Sequence, residues 1–195
     1  MSGDRWGLEG PPEEAYGRVT RDLATLYAPL HDTVREMVDE LVAHYDVEHR
    51  AASDAERARV GGCVSDLRET TVLAPRSPDQ SPLIVGQCDL PGVHVAYGRW
   101  ASGHLPPCGC DACDEALKDL VDEFSEVRRV VTGGFGEWVR REGSTWWLGL
   151  QDGASSLDRA ERRALGITEP VEIAWQPWSR RDRPADPAPD ARPVR

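Results

Sequence analysis

The amino-acid sequence predicts an α+β fold: a single domain with an antiparallel sheet of about five to six strands, two main helices and one short helix. Two long segments carry apolar residues at helical spacing, whereas the other segments alternate or are rich in β-branched residues. The predicted strands follow one another in runs instead of alternating with helices. This order is typical of antiparallel sheets with helices on one face, and not of doubly wound parallel sheets.

The first main helix is predicted over about residues 29–45. Pro29 suits the first helical position, because its missing N–H would have no partner there. The apolar stripe of this helix is formed by Leu30, Val34, Met37, Val38, Leu41, Val42 and Tyr45. Residues 16–27 and 51–60 are further helical candidates with weaker patterns.

Three strands are predicted next, at residues 70–73, 83–88 and 93–100, and together they form a meander. The second of these strands opens with three consecutive apolar residues, which is typical of a strand covered on both faces. The link that follows it contains Pro91-Gly92, a pair that favours a turn.

The second main helix is predicted over about residues 112–131, with Asp111 as its N-cap and Gly133-Gly134 at its end. The remaining elements are a hairpin at 135–140 and 145–151, a short helix at 157–165 capped by Ser155 and Asp158, and a last strand at 171–175.

Charge and hydrophobic pattern restrict the class of protein. The 34 acidic and 23 basic residues give a net charge of -11, which disfavours binding to nucleic acids and to anionic membranes. A protein partner remains open. No segment approaches the ~18 apolar residues of a membrane-spanning helix. The first residues also lack the apolar core of a secretory signal, so a cytoplasmic location is predicted.

The composition changes at both ends of the chain. Residues 1–15 are rich in Gly, Pro and Glu and are predicted to be a flexible N-terminus. Residues 16–178 are predicted to form the single α+β domain. Residues 179–195 are rich in Pro, Arg and Asp and have almost nothing to bury, so a disordered tail is predicted there.

The cysteines supply the one pattern that indicates chemistry. Their odd number, five, argues against a secreted disulfide scaffold. Cys108, Cys110 and Cys113 lie within six residues, and Gly109 lets the backbone turn tightly between the first two. The predicted second helix starts here, and its unpaired N–H groups and dipole would favour thiolates. Since zinc takes four ligands, His104 would complete a Cys₃His site with a structural zinc.

Several alternatives to this zinc site remain open. Other candidates for the fourth ligand are His94, Cys88, Cys63 and water. The three thiols could also be reduced and packed beneath the helix start. A third interpretation is a redox pair formed by Cys110 and Cys113, with Cys108 as an alternative resolving thiol. Neighbouring acids such as Asp111 and Asp114 oppose a reactive thiolate and disfavour this interpretation.

Tryptophan is the other unusual feature, with seven residues in the chain. Those on or beside the predicted C-terminal strands are Trp138, Trp146, Trp147, Trp175 and Trp178. They could line a cleft for a small molecule. Strict alternation instead places Trp146 toward the core and Trp147 on the opposite face of the strand.

The string Cys-Gly-Cys-Asp-Ala-Cys-Asp-Glu at residues 108–115 resembles the signature of an uncharacterised, mainly actinobacterial family of unknown function. Further similar pieces lie at residues 28–31, 73–75, 90–92, 98–100 and 156–160. The resemblance spans roughly residues 14–175 and implies a single-domain protein. It implies no activity, substrate or catalytic residue.

The sequence contains no Gly-rich phosphate loop, nucleophile elbow, paired-histidine zinc protease helix or dinucleotide fingerprint. We therefore predict a non-catalytic interaction or regulatory domain whose cysteine cluster binds a structural zinc. The alternatives are a thiol redox enzyme and a small-molecule binder with a Trp-lined cleft.

Overall fold

The computed structural model describes residues 6–60, 67–89, 92–150 and 153–181, and it confirms the predicted α+β class with antiparallel strands. Nine strands of the described residues form two sheets, of five and four strands, where one sheet of five to six was expected. The three strands that were not predicted are short and carry few buried side chains, so they leave little pattern in the sequence.

Helix α1 spans Leu23–His44 and begins six residues before the predicted start. Asp22 caps it, because its carboxylate accepts the N–H of Thr25 at 3.2 Å. Pro29 consequently lies inside the helix instead of at its first position. The buried face comprises Leu23, Tyr27, Leu30, Val34, Met37, Val38 and Leu41.

The first sheet is a meander of consecutive strands. Its strands are β1 Val47–Ala51, β2 Leu67–Pro75, β3 Leu83–Cys88, β4 Val93–Tyr97 and β5 Ala101–Leu105, and each pairs with the next. The predicted three-stranded meander is confirmed as β2, β3 and β4. The sequence did not indicate β1 and β5, since each buries only one residue, Val47 and Leu105. The predicted turn at Pro91 falls partly outside the described residues.

Helix α3, Leu117–Gly133, packs with α1 on one face of this sheet and forms the main core. The predicted start near residue 112 is wrong, because the carboxylate of Asp111 accepts hydrogen bonds from Thr20 and does not cap the helix. The predicted end is confirmed, since Gly134 follows the helix with φ +78°. A short helix, α2 Asp54–Arg59, leads to Val60, which packs on the opposite face of the sheet.

The second sheet contains the C-terminal strands, which are β6 Phe135–Glu142, β7 Thr145–Leu150, β8 Gly153–Leu157 and β9 Val171–Trp175. Their order in the sheet is β8-β7-β6-β9. The predicted hairpin and last strand are confirmed, whereas β8 exposes four of its five residues and was not predicted. Helix α4, Arg159–Ala164, is capped by Asp158 with Glu161, instead of by the predicted pair Ser155 and Asp158.

A buried carboxylate joins the two sheets. Glu137 on β6 is 1% exposed and accepts the backbone N–H groups of Arg99, Trp100 and Ala101, at 2.7, 3.1 and 3.3 Å. Its second oxygen also accepts the indole N–H of Trp175 at 2.7 Å. The turn between β4 and β5 therefore closes around a side chain of the other sheet. Four donors offset the cost of burying one negative charge.

The turn is shaped to admit this carboxylate. Gly98 has φ +56°, and a Cβ at that position would lie 2.5 Å from the carboxylate of Glu137. Glycine adopts this backbone conformation without strain and leaves the space open. The N–H of Gly98 donates to Ser81 Oγ at 2.6 Å, which ties the same turn to the segment before β3.

The described ends of the chain contact the domain. Two 3-10 turns, Gly7–Glu9 and Glu13–Ala15, precede α1, and Ala15 is buried. Near the other end, the N–H of Arg181 donates to His44 O at 2.9 Å. The predicted flexible N-terminus and disordered tail lie partly outside the described residues, at 1–5 and 182–195, and both stay predictions.

Glu137→Gln should destabilise the fold strongly. The amide keeps one acceptor oxygen but turns an NH₂ group toward N–H donors, so buried donors lose their partner. We expect the free energy of unfolding in urea to fall by about 3 kcal/mol. Glu172→Gln is the control, because Glu172 is exposed on the neighbouring strand and its change should stay within about 0.5 kcal/mol. Equal effects of the two substitutions would contradict the role assigned to Glu137.

A second prediction concerns Glu56 in α2. Arg50 donates to both of its carboxylate oxygens, at 2.8 and 2.9 Å, and Ser53 donates to one, so the pKa of Glu56 falls from 4.5 to about 2. A lowered folded-state pKa stabilises the fold above pH 4.5, and this stabilisation is lost as the pH falls toward 2.

Glu56→Gln should therefore reduce the free energy of unfolding by about 1 kcal/mol at pH 7, and the difference from the wild type should shrink between pH 5 and pH 3. Urea unfolding at a series of pH values measures it. Glu48→Gln, an exposed neighbour on β1, is the control. A difference that is independent of pH would argue against the charge of Glu56 as the cause.

Candidate metal centre

Three thiols converge on the loop between β5 and α3. The sulfur atoms of Cys108, Cys110 and Cys113 all lie within 4.8 Å of one another, and those of Cys110 and Cys113 are 3.6 Å apart. Sulfurs at ~2.3 Å from a tetrahedral zinc would be about 3.8 Å apart. None of the three cysteines forms a disulfide with another described residue, so the group could hold a metal ion.

The three cysteines of the cluster differ in burial. Cys110 is buried at 4% exposure, Cys113 is half-buried and Cys108 is exposed. Cys110 packs with Ala15 and Ala112 in a small apolar cluster, and Trp6 lies beside it. The side of the cluster formed by Cys108 therefore faces solvent.

Asp111 anchors the loop to the segment before α1. Its buried carboxylate accepts the N–H and the hydroxyl of Thr20, at 3.0 and 2.7 Å. Its backbone N–H donates to Arg18 O at 2.7 Å, and its carbonyl accepts the indole N–H of Trp6 at 3.3 Å. One residue between two of the cysteines thus makes four contacts to the N-terminal segment.

Arg21 and Tyr27 hold the other side of the loop. Arg21 pairs with Asp114 at 3.0 Å and donates to the carbonyls of Cys110 and Glu115, each at 3.4 Å. The hydroxyl of Tyr27 donates to Glu115 O at 3.1 Å. Asp114 adopts φ +46°, a conformation that Asp tolerates better than most residues. These contacts fix the backbone around the thiols.

The two neighbouring thiols differ in acidity. Hydrogen bonding to Cys108 and to the backbone N–H groups of Gly17 and Cys113 lowers the pKa of Cys110 to about 6. Burial, followed by hydrogen bonding to Cys110 and Cys108, raises the pKa of Cys113 to about 12. The surroundings therefore favour the thiolate at Cys110 and the protonated thiol at Cys113. A metal ion would bind both as thiolates and release the proton.

The predicted source of thiolate stabilisation is wrong. Helix α3 begins at Leu117, four residues after Cys113, so its first N–H groups and its dipole do not begin at the cysteines. Donors from the loop itself and from Gly17 act on Cys110 instead. Gly17 lies in a segment without an apolar period, and no local signal in the sequence identified it.

The structure groups His104 with another histidine. His104 is exposed on β5, its Nε2 lies 2.6 Å from Pro107 O, and its ring stacks on His94 at 5.3 Å. It is not part of the group of three thiols. Cys88 is buried at the end of β3 and is also outside the group, whereas Cys63 lies outside the described residues. The fourth ligand stays a prediction.

The tryptophans occupy several environments. Trp178 is 4% exposed in the main core, where its indole donates to Ser81 O at 2.8 Å. Trp146 packs with the core cluster around Trp100. Trp147 follows it on β7, opposite Arg140 in the ladder with β6, and therefore points to the other face of the second sheet. Trp178 is therefore a core residue and not part of a groove.

A family model described as a family of unknown function (DUF6226) matches residues 2–182. The chain belongs to this family. The match to DUF6226 covers both sheets and the cysteine loop, and thus nearly the whole chain. Searches among curated proteins and among solved structures found no match. Among the described residues, no helix of this DUF6226 member is both long and apolar enough to cross a bilayer.

Asp111→Asn tests the anchor of the loop. The amide replaces one acceptor oxygen with a donor, which opposes the donors of Thr20. We expect a loss of about 1–3 kcal/mol in the free energy of unfolding and faster hydrogen exchange at the Asp111 and Ala112 amides. Asp122→Asn, at an exposed position on α3, is the control. Unchanged exchange in the loop would show that Thr20 does not hold it.

Proposed function

We propose that this protein is a non-catalytic interaction or regulatory domain in which Cys108, Cys110 and Cys113 bind a structural zinc ion. The observation that carries the proposal is the convergence of three cysteine sulfur atoms within 4.8 Å of one another. Thiolates are soft ligands that favour zinc over magnesium or calcium. The S–S spacing of 3.6 Å for Cys110 and Cys113 matches ligands that share a tetrahedral zinc.

The position of the cluster supports a structural role. The loop between β5 and α3 contacts the segment before α1 mainly through hydrogen bonds, and the apolar cluster there contains three buried residues of the described part of the chain. A small apolar contact contributes little stability. A metal ion bound to three thiolates would add to the stability that the hydrogen bonds of Asp111, Arg21 and Tyr27 give the loop.

His104 remains the proposed fourth ligand. To reach the cluster, its ring would leave the stack with His94 and the contact with Pro107. A water molecule at the exposed side, beside Cys108, is the competing fourth ligand. His104→Ala separates the two, because only a histidine ligand makes zinc affinity depend on this side chain.

Zinc analysis of the untagged protein tests the proposal. We expect about one zinc per chain in the wild type and in Cys88→Ala, and a loss of zinc in Cys108→Ser, Cys110→Ser and Cys113→Ser. Chelation should lower the melting temperature of the wild type and leave that of Cys108→Ser unchanged. Cys108 is exposed, so this variant should fold even where the others do not. A wild type without metal, with a melting temperature that zinc does not alter, would contradict the proposal.

A second candidate is a thiol redox enzyme, favoured by the 3.6 Å separation and the unequal acidities of Cys110 and Cys113. The Cys110 thiolate would attack a disulfide substrate and release one thiolate. Cys113 would then attack the mixed disulfide, which yields a Cys110–Cys113 disulfide and the second reduced thiol. A thiol reductant would return the Cys110–Cys113 disulfide to the dithiol. Turnover of a disulfide substrate with that reductant, abolished in Cys113→Ser, would favour this candidate over the zinc site.

A further inference from the structure

A cleft in which the described lining residues include no acid lies between α2, the turn before β5 and α4, and it shares no residue with the cysteine cluster. Its volume is about 420 Å³, within the range of small-molecule sites. It is lined by Ala58, Arg59, Arg99, Trp100, Ala101, Ser102, Ala164 and Leu165. Among the described residues, two arginines and no carboxylate line this cleft, in a protein with a net charge of -11.

The two arginines are not neutralised by an ion pair with any described residue. Arg59 donates to the backbone carbonyl of Tyr97 at 3.0 Å. Arg99 is exposed, and its guanidinium lies 5.2 Å from the centre of the Trp100 ring. Most donors of both guanidinium groups therefore lack an acceptor in the described part of the chain.

Trp100 adds an unpaired donor. The residue is 8% exposed, and its indole nitrogen is buried without a hydrogen-bond partner in the described part of the chain. A buried donor without an acceptor is costly, and such groups are uncommon in folded proteins. Ser102 contributes an exposed hydroxyl to the same cleft. The two guanidinium groups and the Ser102 hydroxyl are thus the polar side-chain groups that the described lining residues can offer to a ligand.

The two described acidic groups whose charges act on Arg59 are already engaged. Glu137 binds the backbone N–H groups of the turn behind the cleft, and Glu56 binds Arg50. Both favour the charged form of Arg59, but burial outweighs them and lowers the pKa of this guanidinium. The charge of Arg59 is therefore incompletely compensated, and an anion in the cleft would stabilise it.

We propose that this cleft is a binding site for a small organic anion that carries a carboxylate or a phosphate. Arg59 and Arg99 bind the charged oxygens, for which the guanidinium fork is suited, Ser102 donates to the remainder of the ligand, and Trp100 forms part of the wall. The turn is held by Glu137, so that Arg99 and Trp100 are in place before the ligand arrives. The inference does not depend on the proposed zinc site.

The test is a titration of the full-length protein with inorganic phosphate and, separately, with succinate at low ionic strength. Calorimetry measures the affinity. The indole N–H signals in nitrogen–proton NMR spectra show where the anion binds, and the Trp100 signal is assigned by its loss in Trp100→Phe. We expect saturable binding and a shift of the Trp100 signal. Arg59→Gln and Arg99→Gln should each weaken binding by roughly tenfold or more. Arg140→Gln should bind as the wild type does.

The two probes distinguish the ligand classes. Tighter binding of phosphate indicates a phosphorylated ligand, tighter binding of succinate indicates a carboxylate, and either result supports the anion site. The proposal is overturned by a response without saturation, by the same response to sodium chloride, or by equal responses of Arg99→Gln and Arg140→Gln. Arg99 is exposed, so its substitution tests the cleft even where Arg59→Gln affects folding.

Discussion

The buried carboxylate of Glu137 is the interaction on which the arrangement of the two sheets depends. Each sheet satisfies its own backbone ladder, and neither ladder continues into the other. The side chain of Glu137 reaches from one sheet to the other and accepts hydrogen bonds from three consecutive backbone N–H groups of the turn at Arg99. A buried charge is stable only with several well-placed donors, so the position of this side chain and the shape of the turn determine each other. This turn also places Arg99 and Trp100 at the cleft.

Elements with a strong apolar pattern could be predicted from the sequence, and elements held by polar contacts could not. Strands β3 and β9 have the predicted bounds, since buried or half-buried residues recur along them. β8 buries no residue fully and leaves no pattern. Alternation with Phe135 and Val139 places Glu137 on the inward face, but its partners are 36 to 38 residues away and no local pattern identifies them.

The same distinction applies to the cysteine loop. Spacing alone brings Cys108, Cys110 and Cys113 together, because three residues within six positions cannot lie far apart. The groups that fix the loop, Thr20 and Arg21, are about 90 residues away in sequence. Asp111 illustrates the difficulty: its residue type suits a helix N-cap, yet its carboxylate binds Thr20, and the helix begins later. Local propensity was overridden by a tertiary contact.

Strand β5 connects the two candidate sites, and its own side chains contribute little to its stability. Only Leu105 is buried, and the strand is at the edge of the sheet with β4 as its one neighbour. The carboxylate of Glu137 binds the N–H of Ala101 at one end of the strand. At the other end, the chain enters the loop that Thr20 holds through Asp111. An edge strand of five residues, about 17 Å long, is thus kept in place by its ladder and by contacts at both ends. The cleft and the cysteine cluster therefore share one structural support although they share no residue.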